Sequence, residues 1–86
     1  MKFLATWEWK AKDGPEVTKR FKNWKQTGKY KMLYPISTIV GANAGFGVFE
    51  CDDIAEWYKD TRSYTDLITY KVVPIMDSVD AITVNE

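Results

Sequence analysis

Hydrophobic and polar residues alternate along four stretches of the chain. Residues 2–9, 29–40, 46–50 and 67–76 show this period of two, which is typical of β-strands. Pro35 interrupts the second stretch, and because a proline cannot donate to a ladder, we expect this strand at a sheet edge or with a bulge. The segment GANAG at residues 41–45 predicts a hairpin loop. Gly45 and Gly47 allow a side chain or ligand to approach the third strand closely.

A hydrophobic stripe of helical period predicts two helices. The first helix is predicted over residues 15–27, with Asp13 as its capping residue and Pro15 in its first turn. Gly28 is placed to end this helix. Asp52 or Asp53 caps the second helix. The stripes expected to face the sheet are Val17, Phe21 and Trp24 in the first helix and Ile54, Trp57, Tyr58 and Thr61 in the second.

The order strand, helix, strand, strand, helix, strand predicts an α+β, ferredoxin-like βαββαβ fold. Two right-handed crossovers would place both helices on one face of a four-stranded antiparallel sheet. Residues 1–86 then form a single ferredoxin-like domain. The C-terminal tail, residues 78–86, contains the β-prone run 81–84 and is a candidate for an extra edge strand, on this subunit or on its partner.

Both alternating faces of residues 2–9 and 65–77 carry apolar side chains. Two helices cover only one face of a four-stranded sheet, and a chain of 86 residues buries only about 60 to 65 per cent of its unfolded surface. The sequence therefore predicts a homodimer in which the second apolar face is covered by a partner subunit.

Composition indicates a folded, water-soluble domain. No apolar run approaches the roughly 18 residues that a membrane span requires, and the N-terminal residues lack the apolar core of a secretory signal. Cys51 is the single cysteine, so no disulfide forms within the chain. We therefore expect a cytoplasmic protein without membrane association.

The net charge is zero, but nine of the twelve lysines and arginines lie in residues 1–31. This concentration raises the hypothesis of nucleic-acid binding. The neutral total and the spread of the basic residues around a helix favour a solvated face instead, or a surface that orients two subunits. No nucleic-acid partner is expected from the basic residues Lys19, Arg20, Lys22, Lys25, Lys29 and Lys31.

Three segments carry a resemblance to a known family: MKFLATWEW at the N-terminus, GFGVFECDD at residues 45–53 and YTDLITYKVVPIMD at residues 64–77. They resemble a small uncharacterised ferredoxin-like family of the dimeric α+β barrel superfamily. The resemblance implies a homodimer whose sheets pack face to face, in a superfamily that includes cofactor-free quinol-type monooxygenases, haem-degrading enzymes, lactone isomerases and stress-response proteins. The family tends to carry a tryptophan-histidine pair where this chain has Ser37-Thr38, so no acid–base role is carried over.

The absence of histidine removes the usual general base near neutral pH and the commonest zinc and haem ligand. A strand end and a helix cap explain the acidic group Glu50, Asp52 and Asp53 better than a metal site does. Neighbouring acids raise the pKa of the Cys51 thiol, which we interpret as a packing residue. The segment GANAGFG lacks the Lys-Ser/Thr ending of a phosphate-binding loop. No metal, cofactor or catalytic residue is therefore assigned.

Aromatic residues make up 15% of the chain, more than a small core requires. Most of them are explained by the core and the dimer interface, but large rings between helices and a sheet often leave a concave apolar space. The sequence therefore predicts a pocket for a hydrophobic ligand, such as a fatty-acyl chain or a quinone-like ring. The candidate ligand-binding residues are Trp7, Tyr34, Thr38, Phe46, Trp57, Tyr64 and, for a ligand carboxylate, Arg62.

Two other functions stay open at this point. A cofactor-free monooxygenase or isomerase acting on an aromatic substrate needs a titratable group in the pocket, and the candidates are Glu8, Tyr34 and Tyr64. Glu8 alternates with Trp7 and should point to the opposite face, which weakens this alternative. A structural interaction module would need only the apolar faces that dimerisation already explains.

Overall fold

The chain folds into one antiparallel sheet, and two of its helices pack on one face of that sheet. The computed structural model describes residues 1–85. The elements follow the order β1 (Lys2–Trp9), α1 (Gly14–Lys22), β2 (Lys31–Thr38), β3 (Ala44–Glu50), α2 (Ile54–Thr61), β4 (Ile68–Ile75) and α3 (Ser78–Asn85). The strand order in the sheet is β2-β3-β1-β4. This arrangement confirms the predicted α+β, ferredoxin-like fold.

Strand β1 lies in the middle of the sheet and divides the apolar residues between two faces. Ala5 and Trp7 are buried in the core with Val17 of α1 and Trp57 of α2. The intervening residues of β1 point to the other side, since side chains alternate along a strand. We call that side the open face, and its centre is formed by Leu4, Thr6, Phe46, Val48, Val73 and, opposite Thr6 on the edge strand, Lys71.

Strand β2 is an edge strand, and its pairing with β3 is interrupted around Pro35. The register shifts between Met32 and Tyr34 and again between Tyr34 and Ser37. Both the edge position and the irregular pairing confirm the expectation for a proline in this strand. The following hairpin loop is also confirmed: Gly41 has a φ of +84°, and the backbone N–H of Ile39 donates to the carbonyl of Ala44 at 2.9 Å.

Helix α1 ends at Lys22, five residues before the predicted end. The backbone N–H groups of Thr27 and Gly28 donate to the Asp60 carboxylate instead of to helical carbonyls. Gly28 therefore does not end a helix. Gly28 instead allows the chain to pass close to α2, because a Cβ at this position would lie 1.9 Å from the backbone oxygen of Glu56. The end of α1 is thus determined by a contact with α2.

Helix α2 begins after Asp53, whose side chain accepts a hydrogen bond from the backbone N–H of Ala55 at 3.0 Å. This confirms the predicted cap. The predicted stripe is half wrong, because Ile54 and Tyr58 are exposed. The buried stripe of i, i+3, i+4, i+7 spacing continues instead into the 3-10 turn Arg62–Tyr64 and consists of Trp57, Asp60, Thr61 and Tyr64.

The predicted edge strand in the tail is wrong. Residues 78–85 form helix α3, and the part of the prediction that concerns residue 86 lies outside the described residues. The carbonyl of Asp77 accepts hydrogen bonds from the backbone N–H groups of Asp80 and Ala81. These local bonds satisfy the backbone without a neighbouring strand, and they outweigh the β propensity of the side chains. Across residues 1–85, no helix combines the length and the apolar character that crossing a membrane would take.

Candidate ligand-binding site

A cluster of aromatic rings fills the layer between the helices and the sheet. The ring of Phe49 stacks on Trp57, with centroids 5.2 Å apart and planes inclined by 2°. Tyr70 meets the edge of Trp57 at 5.4 Å and lies 6.0 Å from Trp7. These rings enclose a cavity of about 30 Å³. A space of this size holds one or two water-sized groups and no more.

A groove of about 330 Å³ lies next to this cavity, between α1 and β2, and is open to solvent. Trp7, Phe21 and Ile36 line both spaces, so the groove adjoins the cavity. The other groove-lining residues are Trp9, Val17, Thr18 and Thr38. Apolar side chains thus form a recess whose outer part is wide and whose inner part is narrow.

Two glycines of β3 shape the floor of the recess. A Cβ on Gly45 would lie 2.4 Å from Nε1 of Trp7, and a Cβ on Gly47 would lie 3.5 Å from Cη2 of the same ring. The Trp7 indole therefore lies flat across β3 toward β2. This confirms that the glycines permit a close approach, and the group that approaches is a side chain of the chain itself.

Four of the seven predicted ligand-binding residues come together at this recess. Trp7, Trp57 and Tyr64 line the cavity, and Thr38 lines the groove. Tyr34 and Phe46 stack on each other instead, with centroids 5.5 Å apart, on the open face of the sheet.

Arg62 is exposed at the C-terminal end of α2. Its side chain forms no ion pair within residues 1–85, and it does not line the recess. The predicted ligand-binding residues therefore lie in three places: the recess, the open face of the sheet and the C-terminal end of α2.

A buried carboxylate, Asp60, contacts the cavity-lining Tyr30 and was not among the predicted site residues. Asp60 is only 7% exposed. Its oxygens accept hydrogen bonds from the backbone N–H of Thr27 at 3.0 Å and of Gly28 at 3.1 Å, from the Thr27 hydroxyl, and from Oη of Tyr30 at 2.5 Å. The signal in the sequence was an acid three residues after Trp57, on the face that packs inward.

Burial and hydrogen bonding act in opposite directions on this group. Burial by itself raises the pKa of Asp60, but the hydrogen bonds from Thr27, Tyr30 and Gly28 outweigh it and the pKa is lowered. Burial, followed by the bond to Asp60, raises the pKa of Tyr30. The pair therefore consists of a stable carboxylate and a protonated phenol.

Two further tyrosines face the cavity. Tyr64 donates weakly to the backbone oxygen of Arg20 at 3.4 Å, whereas the hydroxyl of Tyr70 has no hydrogen-bond partner within residues 1–85. Burial raises the pKa of both hydroxyls. They therefore stay protonated at neutral pH and act as hydrogen-bond donors.

The other chemistry-bearing residues lie elsewhere. Burial raises the pKa of the Cys51 thiol, and the backbone of Cys51 pairs with Met1. Glu8 is exposed, and it alternates with Trp7. Among the described residues, no group of three or more acidic, cysteine or histidine side chains is placed to hold a metal ion.

The fold and the recess define a ferredoxin-like α+β domain with an aromatic-lined space between its helices and its sheet. The chain matches the model of a protein family described as "Domain of unknown function (DUF3303)" over residues 1–86, and it belongs to that family. No curated protein and no solved structure matches the chain.

Proposed function

We propose that the protein is a homodimer that binds a small hydrophobic molecule in the groove and cavity between α1 and the sheet. The observation that carries this proposal is the adjoining groove and cavity, which share the Trp7 indole as a lining residue. Its walls are apolar and its polar groups are few, which is the usual composition of a small-molecule pocket.

The dimensions favour a ring over a long chain. A groove of about 330 Å³ is at the lower end of the usual range for such pockets, and the inner cavity of about 30 Å³ is too small for an acyl chain to continue inward. A quinone- or phenol-like ring fits the groove between Trp9 and Phe21. Its oxygen then fits the cavity, where the Tyr70 hydroxyl is available as a donor.

The ionisation states favour binding over proton transfer. Tyr30, Tyr64 and Tyr70 line the cavity, and burial raises the pKa of all three. A general base is most effective when its pKa lies near the working pH, and these phenols are far above it. Glu8 and Tyr34, the other candidates for a monooxygenase or isomerase, are both exposed outside the recess. The binding function is therefore the better supported of the two.

The open face supports the homodimer. Its centre is mostly apolar, and Tyr34 remains 51% exposed even though its ring stacks on Phe46. Charged residues stand at the ends of the strands, with Lys2 and Glu50 paired at one end and Glu8 at the other, and on the edge strand β4, where Lys71 lies opposite Thr6. An apolar centre with a charged rim is the usual arrangement of a protein interface.

Equilibrium binding of 2-naphthol tests the ligand proposal. This probe has a ring of the proposed kind and does not alkylate Cys51, as a quinone would. A molecule of this size in such a pocket is expected to bind with a Kd on the order of 0.1–1 mM.

Two variants locate the binding. Thr38→Phe fills the groove and should weaken binding at least tenfold, whereas Ser63→Phe, at an exposed position after α2, should leave the Kd within twofold. Equal affinity of the two variants would show that the probe binds outside the groove. No saturable binding by the wild type would refute the ligand proposal.

A further inference from the structure

We propose that the connection between α1 and β2, residues 24–30, is a strap that opens and closes over the inner cavity. Asp60 and Glu56 of α2 hold the strap closed. Its opening admits a ligand group that the closed cavity is too small to hold. This inference rests on the ligand-binding function proposed above and adds a conformational step to it.

Two aromatic side chains of the strap form part of the cavity wall. Trp24 and Tyr30 are the lining residues that lie outside the strands, the α-helices and the 3-10 turn Arg62–Tyr64. The other lining residues belong to those elements, as Phe49 of β3 and Trp57 of α2 do. Connections open at a lower free energy than strands inside a sheet. The cavity is therefore most readily enlarged on the side of the strap.

The backbone of the strap is attached to α2 through two carboxylates. The N–H groups of Thr27 and Gly28 donate to the Asp60 carboxylate at 3.0 Å and 3.1 Å. The N–H of Lys29 donates to Oε1 of Glu56 at 3.0 Å. The two acceptors are four residues apart, so they lie one above the other on the same side of the helix. The closed position therefore depends on two side chains of one helix.

The strap has internal bonds of its own. Within the described part of the chain, residues 25–30 take part in no hydrogen bond between two backbone groups. The side-chain amide of Gln26 donates instead to the carbonyls of Gly28 and Tyr30. Both bonds join parts of the strap to each other, so they need not break when the strap leaves α2. The strap is therefore able to move as one body.

The side chains of the strap also meet α2 at a single residue. The hydroxyls of Thr27 and Tyr30 donate to the Asp60 carboxylate, and Nε1 of Trp24 donates to the Asp60 backbone oxygen at 3.4 Å. Donors that share one acceptor group support one another. We therefore expect these bonds to form and break together, and not residue by residue.

The size of the closed cavity limits what it holds. Its volume of about 30 Å³ accommodates one or two water-sized groups, such as the oxygen of a phenol. When the strap opens, the rings of Trp24 and Tyr30 leave the wall and the space grows. The ligands that require this opening are those that carry a second apolar group beyond the ring in the groove.

Opening of the strap would affect large and small ligands differently. A ligand that binds only the open state has an apparent Kd equal to its intrinsic Kd divided by the open fraction. A substitution that weakens the closed state therefore tightens the binding of such a ligand. A ligand that the groove holds while the strap is closed gains nothing from the same substitution.

Amide hydrogen exchange of Thr27, Gly28 and Lys29 tests the opening. In the wild type, the three amides should share one free energy of opening, lower than that of the amides of β1. Glu56→Gln replaces the charged acceptor of Lys29 alone. If the strap opens as one unit, exchange of all three amides should accelerate by the same factor, about threefold to tenfold.

Glu16→Gln is the matched control, since it removes the exposed ion pair with Arg20 on α1 and no bond of the strap. It should leave the three exchange rates within about twofold of the wild type. Acceleration of Lys29 alone in Glu56→Gln would overturn the strap as a unit. So would strap amides that exchange as slowly as those of β1, because the segment would then open only when the whole domain unfolds.

Binding of 4-phenylphenol tests the link to the ligand site, because its second ring extends end-on beyond the first. Glu56→Gln should tighten this probe by the factor by which it accelerates exchange, and leave the Kd of 2-naphthol unchanged. An unchanged Kd for 4-phenylphenol, with 2-naphthol still bound, would overturn the role of the strap while the binding function stands. A wild type that binds neither probe would overturn both.

Discussion

The hydroxyl of Tyr30 donates a hydrogen bond to the carboxylate of Asp60, thirty residues further along the chain. The same carboxylate accepts bonds from the backbone of Thr27 and Gly28, so one side chain of α2 organises the connection between α1 and β2. This connection passes beside the aromatic cavity. The shape of the proposed site therefore depends on a polar contact at its border.

Replacing Asp60 should destabilise the protein strongly. Asp60→Asn keeps the size of the side chain but leaves one acceptor oxygen for several donors, so at least one buried donor loses its partner. We expect a loss of about 2–4 kcal/mol in the free energy of unfolding, measured by urea denaturation. Asp52→Asn, at an exposed acid, should change it by less than about 0.5 kcal/mol. Similar losses in the two variants would contradict the role given to Asp60.

Stability should depend on pH through the same carboxylate. The pKa of Asp60 is lowered in the folded protein from an ordinary value of 3.8, so the folded state binds this proton less readily than the unfolded state does. Its stabilising contribution is present above the ordinary value and is lost as the pH falls through the lowered, folded value. The difference between wild type and Asp60→Asn should therefore be constant near neutral pH and narrow below about pH 4. A difference that grows on acidification would show the opposite shift.

Gly28 should tolerate no side chain. Gly28→Ala places a Cβ 1.9 Å from the backbone oxygen of Glu56, so the α1–β2 connection or α2 must move. We expect a loss of about 2–4 kcal/mol in the free energy of unfolding. Gly14→Ala is the matched control, because its Cβ would lie 3.7 Å from Trp9 and alanine favours the helix, so its stability should be unchanged or slightly higher. Equal behaviour of the two alanine variants would be inconsistent with the close approach of Gly28 to α2.

Two tyrosine substitutions should have different effects: Tyr70→Phe should weaken ligand binding, and Tyr30→Phe should lower the free energy of unfolding. The Tyr70 hydroxyl has no partner within residues 1–85, so Tyr70→Phe should change the free energy of unfolding by less than about 0.5 kcal/mol. The same substitution should weaken the binding of 2-naphthol several-fold and leave the binding of naphthalene, which lacks the oxygen, unchanged. Tyr30→Phe should instead cost about 1–2 kcal/mol of stability, since it removes a bond to a charged acceptor. Equal weakening of naphthalene and 2-naphthol binding in Tyr70→Phe would show that the substitution disturbs the pocket, and would contradict a hydrogen bond from the Tyr70 hydroxyl to the ligand.

The architecture of the sheet follows from local patterns. Period-two alternation located all four strands, and Pro35 identified the edge strand, because both signals depend only on neighbouring residues. The end of α1 was not predictable in this way. It depends on the Asp60 carboxylate of α2, which accepts hydrogen bonds from the backbone N–H groups of residues 27 and 28. A buried acid appears in the sequence as a polar position, and this also caused the error in the stripe of α2.

The site was only partly predictable for a similar reason. Trp7, Trp57 and Tyr64 are large residues of the inward-facing positions, and the fold brings them together. Phe46 and Tyr34 are equally aromatic, but the register of β3 against β1 and the irregular pairing of β2 place them on the open face. Register depends on long-range pairing, which a single sequence does not reveal.

The indole N–H signals of the four tryptophans give the most direct test of the central claim, that the recess binds a ring-shaped hydrophobic molecule. In a ¹H–¹⁵N spectrum titrated with 2-naphthol, the Nε1–H signals of Trp7 and Trp9, which line the groove, should shift most and reach saturation together. The signal of Trp24, whose Nε1 donates to the backbone oxygen of Asp60, should shift less. Four indole signals that stay in place while amide signals of the open face move would contradict the account.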